Sequence, residues 1–404
     1  MLNAFLSLWH VDVLVWCELG VLGIITVGTV FTAARSKPSR KHLILGVVSV
    51  LAVAATVFAD NLIALTLAYI VLLGCAVFLL KHTFPAMSAK HKKILIALSS
   101  LALLGFVANS VLNVLAGMHS GLWWQEAVSM QRLLENAVSA SAQGDLRRYG
   151  VLFAGIGFIC SLPLFLAKTR ASSFFATMVP AALFIALLRF AQIVDGTLND
   201  GGEFTRRCFW IAGLVILAAV VLKLYRKKQH ASALQLSGVV QLGLVAFMIG
   251  AGPAGIIPAI LHIFGQAVIH AGLWTVVQHA EMKRHNGVRF LTVALFAALL
   301  AVPGSVLFVS TLIGVGYALQ EHLWFALAVY AALVAIAVRL VRAKLSMMDA
   351  AHPEASEPLN SRSVKFVLGA LALYVIAAFG AGGYLLTQQG IQFAVSVAQS
   401  VATL

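Results

Sequence analysis

Long apolar stretches separated by short polar connectors follow one another along almost the whole chain. A helix that crosses a bilayer needs ~20 mainly apolar residues, and about twelve stretches of that length are present. They are Val11–Ala33, His42–Asp60, Asn61–Leu80, Lys93–Gly117, Gly150–Ala167, Ser173–Val194, Cys208–Tyr225, Ser232–Gly250, Gly255–Gln278, Val288–Leu319, Leu323–Leu340 and Val364–Thr387. None alternates with a period of two over its length. The sequence therefore predicts an all-α, polytopic membrane protein.

Composition and charge agree with that prediction. Apolar residues make up 61% of the 404 residues and charged residues only 10%, whereas soluble proteins run near ~45–50% and ~25%. The net charge of +14 comes mostly from clusters in alternate connectors, near 35–41, 81–93, 223–228, 283–289 and 339–365. Basic connectors stay on the cytoplasmic side of a membrane. We therefore expect a cytoplasmic (inner) membrane location with both termini on the outer side.

Two prolines interrupt otherwise regular spans. Pro163 lies in the fifth stretch, and Pro303, followed by Gly304, lies in the tenth. Helices two to six and seven to eleven then form two five-helix units that begin on opposite sides of the membrane, each with its fourth helix interrupted. This layout is typical of inverted repeats in transporters. The alternative is that both prolines are incidental, since spanning helices tolerate proline.

The repeats divide the chain into four segments. Residues 1–41 form a leading transmembrane helix and inner loop, and 42–195 form the first five-helix repeat. Residues 196–345 form the second repeat, and 346–404 form an inner linker and the C-terminal transmembrane helix.

The connectors are short and contain no catalytic motif. The longest outer one contains Trp123 and Trp124, which are typical of an aromatic belt, and a stretch at Gln131–Ala142 that could lie in the interface as a helix. No phosphate-binding glycine loop or paired-carboxylate motif is present. We therefore predict no enzyme activity for this chain by itself, no cofactor, no metal site and no nucleic-acid partner. The lipid bilayer and other subunits of a complex are the expected partners.

Few ionisable side chains lie inside the predicted spans, and each is a functional candidate because burying charge in lipid is costly. Glu18 lies in the first span. His262, Gln266 and His270 are spaced i, i+4, i+8, so they share one face of the ninth helix. Two imidazoles and an amide suit a hydrated proton relay. The alternative is that they hydrogen-bond neighbouring helices together.

Several short motifs resemble those of one family, in the family's order. They are Asp60-Asn61-Leu62, Pro163-Leu164, Leu187-Leu188-Arg189, Ser237-Gly238-Val239-Val240-Gln241-Leu242-Gly243, Ala259-Ile260-Leu261-His262, His270-Ala271 and Val302-Pro303-Gly304-Ser305. Over most of residues 11–340, the chain is similar to the antiporter-like proton-translocating subunits of respiratory complex I, of hydrogenase-4 and formate hydrogenlyase, and of multi-subunit sodium/proton antiporters. This resemblance implies inverted five-helix repeats with two broken helices, and a chain two helices shorter than usual.

The chain departs from the family at its charged positions. Where the resemblance implies a glutamate and lysines in the first repeat, this chain has Ile70, Phe158 and Ala181, and Thr311 replaces the charged residue after the second break. This chain has Gln266 where the resemblance implies a histidine, and His270 where it implies a lysine. His262 alone keeps a family ionisable residue.

Two functions remain open from the sequence. The chain is expected to be a subunit of a larger ion-translocating complex, redox-linked and moving protons. The alternative is a degenerate, non-conducting subunit that anchors or couples partner chains, for example in a hydrogenase-type or inorganic-carbon-uptake assembly. The loss of four charged positions favours the alternative, whereas the histidine face favours conduction.

Overall fold

A computed structural model of the chain describes residues 20–28, 30, 40–83, 89–137, 144–165, 177–195, 203–226, 233–250, 255–278, 285–321, 329, 332–333 and 361–385. These residues form helices, with one isolated β-bridge between Asn61 and Ser129. The all-α prediction is therefore confirmed. The described chain folds as two compact units, one containing Pro38–Thr205 and the other containing Gly23–Lys37 and Arg206–Ala398. The four segment boundaries predicted above stay predictions.

The helices follow the predicted spans closely. Unit 1 contains α1 (Arg40–Phe58), α2 (Leu62–Thr83), α3 (Ala89–His119), α4 (Trp124–Ala127), α5 (Met130–Ala137), α6 (Gly144–Phe165) and α7 (Met178–Asp195). Unit 2 contains nearly all of α8 (Glu203–Arg226), then α9 (Ala233–Gly250), α10 (Ile256–Gln278), α11 (Asn286–Leu299), α12 (Val306–Glu321) and α13 (Ser361–Leu385). Among the described residues, three helices are long and apolar enough to cross a membrane by themselves, at Lys93–His119, Ile257–Val277 and Val364–Leu385.

In unit 1, α3 and α6 pack with their backbones almost in contact. A Cβ atom added to Gly105 would lie 2.5 Å from the carbonyl oxygen of Phe153. A Cβ atom on Gly157 would lie 2.9 Å from the carbonyl oxygen of Ala102. Small residues allow this close approach between membrane helices, where van der Waals contact replaces the hydrophobic effect as the attractive force.

The family-like Asp60-Asn61 pair anchors the connector between α3 and α6. Asp60 accepts hydrogen bonds at Oδ2 from Ser129 Oγ (2.7 Å) and at Oδ1 from the backbone N–H of Gln131 (3.0 Å). Asn61 Oδ1 accepts from the backbone N–H of Ile63 at 2.8 Å, which caps α2. Helix α5 occupies the first part of the predicted interfacial stretch. The motif therefore has a structural role here.

In unit 2, α10 is the central helix. It packs against α9, α11, α12 and α13, and most of its residues are buried inside the protein. Of the leading segment, the described residues 23–28 and 30 belong to this unit, and the hydroxyl of Tyr374 on α13 donates to the carbonyl oxygen of Ile25 at 3.4 Å. Side chains on α10 therefore face other helices of the same chain rather than lipid.

The break at Pro303 is confirmed, and local sequence explains it. Helix α11 ends at Leu299 with two bonds of a Schellman motif, from Val302 N–H to the Ala297 carbonyl (3.1 Å) and from Ala301 N–H to the Ala298 carbonyl (3.0 Å). Ala301 takes the left-handed position of this motif with φ 53°.

A tight turn then leads from α11 into α12. The N–H of Ser305 bonds to the carbonyl oxygen of Val302 at 3.1 Å, and Gly304 has φ +92°. Proline followed by a glycine of positive φ is typical of a type II turn. Ser305 Oγ then accepts from the N–H of Phe308 at 3.2 Å, which starts α12.

At Pro163, unlike at Pro303, the helix continues through the proline. Helix α6 is helical through Pro163 and ends at Phe165, so there is no break at the proline itself. The residues up to the start of α7, 166–176, lie outside the described residues, as do Glu18 and most of the predicted eleventh span. The interruption near Pro163, the helix number and the inverted repeat stay predictions.

Candidate functional site

The predicted histidine face lies in the interior of unit 2. His262, Gln266 and His270 are 1%, 7% and 2% exposed, respectively. Because the α-helix rises 1.5 Å per residue, the eight positions from His262 to His270 cover about 12 Å along α10. The three side chains that the spacing places on one face of α10 are thus all buried, and their part in an ion path stays a prediction.

His262 is held between two other helices. Its Nδ1 lies 2.9 Å from Ser310 Oγ on α12. Its Nε2 makes a close hydrogen bond with Gln241 Oε1 on α9. The Ser310 hydroxyl also lies 3.1 Å from the carbonyl oxygen of Leu307, to which it can donate. Both ring nitrogens of His262 therefore have hydrogen-bond partners from the same chain.

These partners suit both charge states of the imidazole. When Ser310 donates its single hydrogen to Leu307, its oxygen accepts from Nδ1–H of His262, and Gln241 Oε1 accepts from Nε2–H. A doubly protonated His262 then has an acceptor at each nitrogen. In the neutral state, Ser310 can instead turn its hydrogen to Nδ1, or Gln241 can present its NH₂ group to Nε2. Each ring nitrogen of His262 therefore has a suitable hydrogen-bond partner in either charge state.

Gln266 and His270 continue this contact between α9 and α10. Gln266 Nε2 donates to the carbonyl oxygen of Gly238 at 3.2 Å, and His270 Nε2 lies 3.5 Å from Ser237 Oγ. Gln266 Oε1 is buried and has no hydrogen-bond partner within the described part of the chain. The three contacts follow two antiparallel helices and together form a polar row.

The four positions at which the resemblance implies a charged residue are apolar or partly exposed in the structure. Phe158 on α6 is only 5% exposed and packs edge to face on Phe184, with ring centroids 5.7 Å apart. Ala181 on α7 is also buried, whereas Ile70 on α2 is 40% exposed and points away from the unit's interior. Thr311 on α12 is partly exposed. None of these four positions, three in unit 1 and Thr311 in unit 2, therefore carries a titratable side chain.

Sequence reasoning did not assign the groups that complete each polar region, although Ser237 and Gln241 belong to a motif named above. In unit 2 these are the partners of the row, Ser237, Gln241 and Ser310, which lie on other helices. In unit 1 they are Thr66, Asn109, Ser110 and Asn113. The i, i+4 spacing of Asn109 and Asn113 in an otherwise apolar helix was the available signal. The described residues contain no group of three His, Cys, Asp or Glu side chains close enough to hold a metal ion.

Comparison with known proteins shows that the chain shares its fold with chains of solved membrane complexes. No family model and no curated protein matches the sequence. Solved structures do match. A chain of the Mrp complex from Dietzia sp. DQ12-45-1b superposes with a TM-score of 0.77 at 16% identity, covering 97% of this chain and 45% of the other. This chain thus spans less than half the length of that relative.

Two respiratory complexes contain chains of similar size and fold. A chain of respiratory complex I from Thermus thermophilus matches with a TM-score of 0.76 at 16% identity, covering 98% of this chain and 85% of the other. A chain of the membrane-bound sulfane sulfur reductase, an archaeal respiratory membrane complex, matches with a TM-score of 0.79 at 15% identity, covering 98% and 83%. These complexes match the family that the motifs resemble, and the chain is a membrane protein that shares its fold.

Proposed function

We propose that this chain is an antiporter-like integral membrane subunit of a larger ion-translocating complex, with protons as the ion and redox chemistry in other chains as the energy source. Three supports converge on this proposal: the order of the sequence motifs, the fold shared with chains of Mrp and respiratory complexes, and the polar row of unit 2. The chain itself supplies no catalysis, so its partners are the other membrane and peripheral subunits.

The observation that carries the proposal is the environment of His262. Burying an imidazole without partners would favour only its neutral form, because a cation loses its hydration there. Here Ser310 Oγ and the Gln241 side chain offer an acceptor at each ring nitrogen. Gln266 Oε1 lies between the two histidines along α10 and has no hydrogen-bond partner among the described residues. It therefore adds an acceptor for a hydrated proton. Unit 2 is therefore the conducting unit in this proposal.

The orientation follows from the basic connectors. The proposal places both termini on the outer side of the cytoplasmic membrane and the Lys- and Arg-rich connectors inside. It also relates the two five-helix repeats by inversion, with Pro303 and Pro163 marking equivalent regions. Replacing single connector residues with cysteine and labelling them from each side of the membrane tests this orientation.

A second candidate function has its own observation. Phe158 packs on Phe184 where the family places a lysine, and Ala181 is buried at a second such position. A subunit without titratable groups at these positions would anchor or couple partner chains without conducting. In that case, the hydrogen bonds of the polar row only hold α9, α10 and α12 together.

The variant His262→Leu distinguishes the two functions. It removes the imidazole and keeps an apolar side chain of similar bulk, so proton translocation by the assembled complex should fall at least tenfold when His262 carries the proton. The measurement is proton uptake into sealed vesicles that contain the intact complex, normalised to the amount of complex. His270→Leu should also slow uptake.

Thr275→Val is the matched control. Thr275 is buried on the same helix, but its hydroxyl donates only to the carbonyl oxygen of Ala271, so its loss leaves the polar row intact. This control should translocate protons at the wild-type rate. Wild-type uptake by both assembled histidine variants would reject conduction and leave the anchoring function.

A further inference from the structure

In unit 1, α3 carries a pair of buried amide side chains that face α6. They are distant in sequence from the polar row of unit 2. Asn109 and Asn113 are one helical turn apart on α3, and both are fully buried. On the facing helix, a Cβ atom on Gly150 would lie 2.9 Å from Asn113 Nδ2 and 3.2 Å from Asn109 Oδ1. The missing side chain of Gly150 therefore lets α6 approach the amides directly.

The two amides satisfy only part of each other's hydrogen-bonding capacity. Asn113 Nδ2 donates to the backbone carbonyl oxygen of Asn109 and to its Oδ1, both at 2.9 Å. This uses both N–H groups of Asn113. Asn109 Nδ2 and Asn113 Oδ1 are buried and have no hydrogen-bond partner among the residues that the structure describes. One donor group and one acceptor atom therefore remain for a ligand.

The orientation of the amides is fixed by their neighbours. Turning the amide of Asn113 would place its oxygen against the backbone carbonyl oxygen of Asn109, an acceptor that cannot donate. Turning only the amide of Asn109 would bring two NH₂ groups together. The observed arrangement is the one in which every close contact joins a donor to an acceptor, so the unmet donor belongs to Asn109 and the unmet acceptor to Asn113.

We propose that this amide pair binds one ordered water molecule, which accepts a hydrogen bond from Asn109 Nδ2 and donates one to Asn113 Oδ1. The chemistry selects a neutral ligand that can do both. A bare cation would face the N–H groups of Asn109, and an anion would face the carbonyl dipole of Asn113. Buried polar atoms without a partner are costly, and internal water is the usual partner at such points.

The water site lies in a polar layer of unit 1. Ser110, the neighbour of Asn109, shares a hydrogen bond of 2.8 Å with Thr66 on α2. An aromatic layer is next along the helices, where Tyr69 stacks on Phe106 with ring centroids 4.0 Å apart. Gly150 and Phe158 on α6 are about 12 Å apart along the helix axis. The water site therefore lies in a polar layer that borders the stacked aromatic rings.

The proposal is independent of whether the chain moves ions. Its test is a cryo-EM map of the intact complex at a resolution that shows ordered water. The wild-type map should contain a density peak about 2.7–3.2 Å from both Asn109 Nδ2 and Asn113 Oδ1. The Asn113→Leu complex should lose that peak because the variant lacks the acceptor. Thr66→Val, which removes a hydroxyl from the same layer and leaves both amides intact, should keep it.

Two results would overturn the proposal. One is a wild-type map without the peak, in which the two amides bond to other protein groups. The other is a peak that persists unchanged in Asn113→Leu, which would assign the water to different partners. The wild-type map decides the question even where a variant complex fails to assemble. Proton uptake is measured separately, so failure here leaves the proposed function untouched.

Discussion

Gly382 on α13 lies against the backbone at Gly304, in the turn between α11 and α12. A Cβ atom on Gly382 would lie 2.4 Å from the carbonyl oxygen of Gly304 and 2.6 Å from the backbone nitrogen of Val306. Because the obstructing atoms are backbone, no side-chain rotation relieves the clash. Helix α13 therefore packs directly on the turn between α11 and α12, and a residue without a side chain is needed at Gly382.

This contact predicts that Gly382→Ala destabilises the chain. Overpacking typically costs about 1–3 kcal/mol, and α13 must also move away from the turn. Thermal unfolding of the purified complex and the yield of assembled complex are the measurements. Gly383→Ala is the control, because nothing lies within 4 Å of a Cβ atom there. Equal stability of the two variants would contradict the contact.

The break itself offers a stabilising substitution. Ala301 is the one non-glycine residue of positive φ in the described ranges. A left-handed conformation costs an L-residue with a Cβ atom roughly 1–2 kcal/mol, so Ala301→Gly should raise the free energy of unfolding by about 1 kcal/mol.

Ala294→Gly, in the neighbouring helix, should have the opposite effect and lower the free energy of unfolding. Ala294 lies inside α11, where glycine costs about 1 kcal/mol relative to alanine. Both variants are compared by thermal unfolding of the same complex. A lower melting temperature for Ala301→Gly would mean that the left-handed residue carries no strain.

Asp60 should be needed to hold the connector that follows α3. Asp60→Ala leaves Ser129 Oγ and the N–H of Gln131 without their acceptor, at a cost of about 1–3 kcal/mol for each group that stays buried. We expect faster hydrogen exchange across residues 129–133, measured by mass spectrometry on the intact complex.

Asp60→Asn separates hydrogen bonding from charge. The amide oxygen still accepts from Gln131, and the amide nitrogen can donate to Ser129 Oγ. This variant should therefore exchange at nearly the wild-type rate. Exchange as fast as in Asp60→Ala would show that the negative charge, rather than the hydrogen bonds, holds the connector.

Placing a lysine at Phe158, as the resemblance implies for this position, should impair assembly. The position is buried against Phe184, and a lysine at the centre of a membrane helix costs about 2.5–3.5 kcal/mol on insertion scales. Phe158→Lys should therefore lower the amount of assembled complex well below that of Phe158→Leu, which keeps the site apolar. Assembly in equal amounts would imply a hydrated path beside α6.

Much of this architecture is determined by local sequence. Where the structure describes the predicted spans, the limits of the helices lie within six residues of the prediction. Apolar runs predict helices because a helix satisfies its own backbone in lipid. The sequence Val302-Pro303-Gly304-Ser305 determined the break, since proline, glycine and serine each suit one position of the turn. The spacing of His262, Gln266 and His270 alone placed them on one face of α10.

Contacts between helices distant in sequence could not be predicted in this way. Gln241 and Ser310 contact His262 although they are 21 and 48 residues away in sequence. Helical periodicity predicts which side chains share a face, but it does not predict which helix that face contacts. The outward direction of Ile70 likewise depends on how α2 is rotated in the packed unit. Local sequence therefore determined where polar groups lie along each helix, whereas the packing of the helices decided which of them meet, because partners and burial exist only in the folded chain.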